Sequence, residues 1–346
     1  METRVNPFRK SGDVPAGLTD IPWPSVDAAR VQRLLSRCPK AAPTPLIAAR
    51  PLAEKVGVSD IRIKDERDRM GLGSFKALGA AYVIARDAKE GRAAGTTYVT
   101  ASAGNHGLSV AAGAAAFGAR AVIFLSETVP EAFADRLTDL GAEVRREGDT
   151  YEESMASAAE WAERNGFVLL SDSSWPGYTQ SPRILMEGYL ALMDEVVEAM
   201  QAPPTHIFLQ AGVGGLAASV AALARERWGD APRIVVVEPE AAPALAASIA
   251  AGAPVVSEGP VSTMGRLDCK EPSLIALKGL ARDADDFALI TEDEAAKGVV
   301  VAAHLGLETT PSGAAGLAAF LAAAPGTWGL GPASRILLIL SEGPEA

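Results

Sequence analysis

Apolar residues along this chain come in short β-branched runs separated by longer alanine-rich stretches. The runs at 61–64, 97–100, 121–125, 168–170, 206–210, 234–237 and 336–340 are mostly apolar on both faces. That pattern predicts parallel strands covered by helices on each side. Between them, 106–117, 131–140, 151–164, 182–200 and 215–228 carry helical spacing. Gly118, Gly141, Gly166 and Gly229 stand where such helices stop. Strands alternating with helices predict an α/β fold with a mostly parallel sheet.

Two stretches break the alternation. Residues 1–60 are rich in proline with little periodicity, and are expected to wrap the body and contribute to an oligomer interface. Residues 241–270 read as a helix followed by a long loop, a kind of loop that often carries specificity. A boundary between two lobes is expected in the helix 182–200, ahead of Ala202-Pro203-Pro204.

The chain has 346 residues, enough for one large α/β unit or two lobes with real cores. Hydrophobic residues make up 48% and charged residues 22%, as in an ordinary globular protein. The net charge of −11 comes without a basic stripe, so a nucleic-acid partner is not expected. No apolar run is long enough for a bilayer, and Met1 to Lys10 lacks the apolar core of a secretory signal. A cytoplasmic protein without a membrane partner is the expectation. Cys38 and Cys269 are too few for a disulfide framework, and His106, His206 and His304 have no metal-ligand spacing, so no metal is expected.

Four segments carry candidate chemistry. In Gly73-Ser74-Phe75-Lys76-Ala77-Leu78-Gly79-Ala80 a lysine follows an aromatic at a helix head. Lys76 reads as a desolvated amine nucleophile, or as the commoner lysine snorkelling from a helix start. In Ser102-Ala103-Gly104-Asn105-His106-Gly107 a strand gives way to a helix. Its free N–H groups suit a carboxylate, while Ser102 and Asn105 read equally as caps. Gln210-Ala211-Gly212-Val213-Gly214-Gly215-Leu216-Ala217 has the strand–glycine–helix context of a phosphate cradle. It also fits a loose dinucleotide fingerprint, Gly212-x-Gly214-x-x-Ala217, with Glu238 at the end of the next strand for a ribose. An NAD(P)-dependent oxidoreductase is therefore the competing reading. Ser341 in Leu340-Ser341-Glu342-Gly343 ends the last apolar strand, where a hydroxyl can meet a ring nitrogen or simply turn the chain.

Together and in this order, the segments resemble the fold-type II pyridoxal 5′-phosphate (PLP) enzymes, the tryptophan synthase β-like superfamily. Within it the chain is most similar to diaminopropionate ammonia-lyases, and more distantly to threonine/serine dehydratases. Further points of resemblance are Asn6-Pro7-Phe8, Lys64-Asp65-Glu66, Gly71-Leu72, Trp175-x-Gly177-Tyr178-Thr179, Val237-Glu238-Pro239, Cys269-x-Glu271-Pro272 and Ser312-Gly313-Ala314. The resemblance implies two lobes with open, mostly parallel sheets and PLP in the cleft between them. Residues 1–76 and 201–346 would form the large domain, 77–200 a small mobile one, and two chains a homodimer.

It also implies roles. Lys76 would hold PLP as a Schiff base, with Phe75 beside the ring and Asn105 on its O3′. Gly212, Val213, Gly214 and Gly215 would wrap the phosphate, and Ser341 would face the pyridine nitrogen. Ser102, Ala103, Gly104, Asn105 and His106 would bind the substrate carboxylate, with Tyr178 also at the substrate. The implied reaction is α,β-elimination from a β-substituted amino acid to a 2-oxo acid and ammonia. Lys76 is the expected base for an L-substrate, and Asp172 or the cofactor phosphate the proton source for the leaving group. A neutral Ser341 favours elimination over transamination. A β-replacement synthase, a racemase and a non-enzymatic PLP-binding protein are the alternatives within the resemblance.

Two departures stand out. The ammonia-lyases carry an aspartate just before Gly-Asn-His-Gly, where this chain has Ala103. That puts activity on D-diaminopropionate in doubt. Asp172 matches the family's second acid, or reads as a turn or cap residue. In Met264-Gly265-Arg266-Leu267-Asp268-Cys269-Lys270, charges replace small residues at 266, 268 and 270. They read as recognition of an extra carboxylate or amine, or as a solvated surface run, the commoner case. Cys269 reads as a small buried hydrophobe before it reads as a nucleophile.

Overall fold

The structure is a computed structural model that describes residues 1–344. In chain order its strands are β1 (Glu2–Val5), β2 (Leu46–Ala48), β3 (Asp60–Asp65), β4 (Thr97–Ala101), β5 (Arg120–Leu125), β6 (Glu143–Arg146), β7 (Val168–Leu169), β8 (His206–Gln210), β9 (Arg233–Pro239), β10 (Asp286–Ile290) and β11 (Arg335–Leu340). They form a seven-stranded sheet in the order β1-β10-β9-β8-β11-β3-β2 and a four-stranded sheet in the order β6-β5-β4-β7. All pairings are parallel except the two edges of the larger sheet, where β1 and β2 run antiparallel. β4, β8 and β10 are buried along their whole length, because helices cover both faces. No helix among the described residues is long and apolar enough to cross a membrane.

The N-terminal segment wraps the larger sheet as its composition suggests. The Asn6 amide donates to the carbonyls of Leu280, Ala281 and Ala284 at 2.7–3.1 Å, satisfying the end of helix Leu274–Asp283. Lys278 in that helix donates back to Thr19 and Ile21 carbonyls at 2.8 and 2.6 Å.

One expected element is corrected. The helix expected over 182–200 is two helices, Gln180–Gly188 and Leu190–Ala199, meeting at Tyr189. The Met186 carbonyl accepts from Ser219 Oγ at 2.9 Å and from the Tyr189 amide at 3.1 Å, which diverts it from the usual helical partner. Helix Gln180–Gly188 also lies so close to helix Ala77–Lys89 that a Cβ on Gly188 would collide with the Leu78 carbonyl.

A buried ionic network fixes the connection that carries Lys76. Arg69 donates to Glu66 at 2.7 Å and to both oxygens of Glu195 at 2.8 Å, and Lys64 donates to Glu195 at 2.5 Å. Two cations thus balance two carboxylates out of water, joining β3 and the following loop to helix Leu190–Ala199. Removing one member strands the others. Glu195→Ala is expected to destabilise the fold by about 3–5 kcal/mol, read as a lower urea midpoint at unchanged slope.

Candidate active site

The carboxyl ends of β3, β4, β7, β8 and β11 all lead into segments that meet between the two sheets. Open α/β sheets bind ligands at such a crevice. Lys76 lies directly ahead of helix Ala77–Lys89. Its segment is strapped to the end of β11: the Phe75 amide donates to the Ser341 carbonyl at 3.0 Å, and the Gly343 amide to the Gly73 carbonyl at 2.9 Å. Ser74 and Glu342 form a bridge between them. Phe75 packs edge-on against Tyr189, with ring centroids 4.9 Å apart.

The Lys76 amine is ion-paired with Asp172. Asp172 follows β7 and caps no helix, so the cap reading of it falls away. The two groups set each other's protonation. Burial pushes the Asp172 carboxyl up, but the Lys76 ammonium outweighs it and holds the acid well below the usual carboxylate range. Burial likewise pulls the Lys76 amine down, and the Asp172 carboxylate outweighs it, so the amine stays protonated well above its ordinary range. Tyr178 supports this segment. Its hydroxyl accepts from the Ser171 amide at 3.0 Å and donates to the Leu169 carbonyl at 2.9 Å.

The loop after β4 is held from within. Ser102 Oγ accepts from the amides of Gly104 and Gly107 at 3.3 and 3.1 Å, bracing the turn into the helix, whose N-cap is Gly104. Asn105 opens helix Asn105–Ala116 and donates to Glu342 Oε2 at 2.5 Å. His106 Nε2 lies 2.7 Å from the Leu170 carbonyl. A carbonyl only accepts, so Nε2 carries the proton and the neutral Nδ1 offers a lone pair. That buried Nδ1 has no partner among the described residues. Burial holds the ring's pKa below the ordinary histidine value.

The glycine turn after β8 is shaped by close approach. Gly214 has φ of +98°, and a Cβ there would lie 2.9 Å from Ala276 Cβ. A Cβ on Gly212 would lie 2.9 Å from Cys269 Sγ and 3.0 Å from the Arg266 carbonyl. Only backbone fits, and it leads straight into helix Gly215–Trp228, whose first N–H groups suit a phosphate. The Cys269 thiol beside the turn is pushed up to about 12 by burial, which keeps it protonated and weakly nucleophilic.

Gln210 sets the chemistry of Ser341. Its Nε2 donates to the carbonyls of Gly313 and Ile339 at 3.1 and 2.9 Å and to Ser341 Oγ at 3.1 Å. The two carbonyls fix which end of the amide is nitrogen. Ser341 Oγ therefore accepts within the protein, and its own proton is left to donate.

The acid on which a dinucleotide reading depends is not available. Glu238 is fully buried and accepts from the Leu245 and Ala246 amides at 2.8 Å each, capping helix Ala244–Ala251. The glycine fingerprint is thus left without its ribose partner. Gln210, Tyr189 and Glu342 are site residues that sequence reasoning did not single out. Glu342 had a signal in Ser341-Glu342-Gly343, whereas Tyr189 was hidden inside a long expected helix.

The residues present fit PLP: an amine in a cleft, a backbone-lined turn at a helix head, and a hydroxyl positioned as a donor. Comparison with known proteins agrees. A family model described as pyridoxal-phosphate dependent enzyme matches residues 38–342. The diaminopropionate ammonia-lyase of Escherichia coli strain K12 is 33% identical over 280 residues, covering 75% of this chain and 70% of that protein. A serine dehydratase-like protein of Mus musculus is 30% identical over 258 residues, 74% of each chain. The crystal structure of Escherichia coli diaminopropionate ammonia-lyase with an aminoacrylate–PLP azomethine reaction intermediate superposes with a TM-score of 0.87 at 30% identity, covering 99% of this chain and 93% of that one.

Proposed function

The chain belongs to the pyridoxal-phosphate dependent enzymes, and from that premise we propose how it works as an ammonia-lyase on a β-substituted amino acid. The products are a 2-oxo acid and ammonia. The observation that carries this reading is the Lys76–Asp172 pair in the cleft between the glycine turn and the loop after β4. The bound cofactor supplies an aldehyde for the Lys76 amine and an electron-withdrawing ring beside the substrate Cα.

Every other part falls to the protein. Lys76 Nζ would hold the cofactor, and as a free amine it would take the proton from Cα of an L-amino acid. Asp172 is then the group that changes with it. While Lys76 is neutral, burial favours a protonated Asp172 carboxyl. When Lys76 becomes an ammonium, the carboxyl is driven to release its proton, as in the ion pair seen here. Uptake at one group is thereby coupled to delivery at the other, toward the leaving group on Cβ. Phe75 would pack beside the ring, and residues 212–215 would hold the phosphate. Asn105 would meet the ring oxygen and Ser341 the ring nitrogen, the latter supported by the proton that Ser341 keeps to donate. Residues 102–106 would receive the α-carboxylate, and Tyr178 would lie at the substrate beside the segment that its hydroxyl holds.

The domain division expected from the resemblance belongs to the same reading, supported by the separate four-stranded sheet. So do a homodimer and a cytoplasmic setting.

The test is a screen of both enantiomers of serine, threonine and 2,3-diaminopropionate. From L-serine and L-threonine, ammonia and 2-oxo acid are expected in equal amounts, and from L-2,3-diaminopropionate two ammonia for each 2-oxo acid, without a second substrate. Turnover only with an added nucleophile would instead mark a β-replacement synthase, and inversion at Cα without ammonia a racemase.

A further inference from the structure

The helix break at Tyr189 brings a buried hydroxyl to the glycine turn. Ser219 Oγ lies 2.9 Å from the Met186 carbonyl and 2.8 Å from the Gly215 carbonyl, tying the end of helix Gln180–Gly188 to the head of helix Gly215–Trp228. The chain then sets the Tyr189 ring between two glycines. A Cβ on Gly215 would lie 3.6 Å from Tyr189 Cε2. A Cβ on Gly79 would lie 2.8 Å from Cε1 and 2.9 Å from the hydroxyl oxygen, so no side chain fits there. Phe75 packs on the same ring. Tyr189 therefore fills the space between the helix that follows Lys76 and the helix that follows the glycine turn.

Tyr189 is 1% exposed, and its hydroxyl has no hydrogen-bond partner among the described residues. The two charges that act on it, Lys76 and Asp172, leave its proton without an acceptor. An ammonium only donates, and the carboxylate is ion-paired with that ammonium. Burial pushes the phenol above its ordinary value, so the proton stays on and the hydroxyl is a donor across the neutral range. A buried donor without an acceptor costs the fold stability, and an anionic oxygen brought to it by a ligand removes that cost. We propose that the Tyr189 hydroxyl donates to the phosphate of bound PLP, adding a side chain to the cradle that residues 212–215 build from backbone. The inference rests on the reading of the glycine turn as the phosphate site. The ring oxygen and ring nitrogen have Asn105 and Ser341 in that reading, whereas the head of helix Gly215–Trp228 is the ligand-binding element that Tyr189 touches.

Tyr189→Phe keeps the ring and its packing on Phe75 and removes only the hydroxyl, and the measurements that test it need no turnover. The urea midpoint of the cofactor-free protein is expected to stay unchanged or rise, since the deleted donor had no acceptor there. The dissociation constant of PLP, followed by absorbance, is expected to rise about 10- to 100-fold, the loss of one hydrogen bond to a charged group. Pyridoxamine 5′-phosphate carries an amine in place of the aldehyde and cannot attach to Lys76. Its affinity should fall by the same factor, and so should that of inorganic phosphate measured as its competitor. An unchanged affinity for inorganic phosphate overturns the inference, because the hydroxyl would then serve the ring or the Lys76 linkage. A lower urea midpoint in the cofactor-free variant also overturns it, because the hydroxyl would then be holding the fold. Failure of inorganic phosphate to compete in the wild-type protein strikes the phosphate reading of the glycine turn first, and this inference with it.

Discussion

Lys76→Ala is expected to abolish covalent attachment of PLP and to lower turnover by at least about 10³-fold, since in the proposed function one amine serves as both anchor and base. Borohydride reduction followed by peptide mass mapping checks it. The wild-type protein should carry the cofactor on the peptide containing residue 76, and the variant on none. Folding is expected to survive. Lys76 makes no side-chain cap for its helix, and its segment is held by backbone bonds to β11 that alanine retains. Loss of the ammonium leaves burial as the main influence on Asp172, so that carboxyl rises and becomes neutral more readily. A variant that still turned over with the cofactor on another lysine would refute the assignment of the amine.

How much of this was legible in the sequence depends on how locally each feature is determined. β4, β8 and β11 are readable because burial on both faces demands continuous apolar runs. β1 (ETRV) and β6 (EVRR) lie at sheet edges and keep exposed polar side chains, so they carry no such run. β10 has the apolar residues, but Asp285 and Asp286 open it and blur its start. The glycine turn and Lys76 were visible because backbone approach and helix position constrain residue type directly. Asp172 was visible only as an ambiguous acid. Its partner is 96 positions away, and proximity of that kind is set by how the two sheets pack. The same holds for Gln210, whose donation to Ser341 spans 131 positions. Arg266 read either as a recognition charge or as part of a solvated run, and its approach to Gly104 is set by the fold. The backbone partners of the Tyr178 hydroxyl beside Asp172 are likewise set by the fold and not by the motif.

Asp172→Asn is expected to separate two processes that the ion pair joins. Consider first the cofactor-free chain. Burial pulls the Lys76 amine down and the Asp172 carboxylate more than reverses this, leaving the amine protonated at neutral pH. Only the neutral amine adds to an aldehyde. Asparagine removes the carboxylate and leaves burial dominant, so the amine falls below its raised value. Attachment of added PLP at pH 7, followed by absorbance, should then be faster, by about tenfold for each unit the amine falls. Turnover should move the opposite way. Asparagine cannot pass a proton to a departing β-substituent, so kcat is expected to drop about 10²- to 10⁴-fold. The loss should be smallest for the β-substituent that leaves most readily without a proton. Stability carries a third signature. The pair's contribution is present above the unfolded carboxyl's pKa and lost as pH falls through the depressed folded value. On the alkaline side it is present below the unfolded lysine's pKa and lost as pH rises through the raised one. The variant should lack both limbs in a urea titration of cofactor-free protein. A purely structural Asp172 would slow attachment and turnover together, and equal behaviour of variant and wild type in all three measurements would remove the residue from the mechanism.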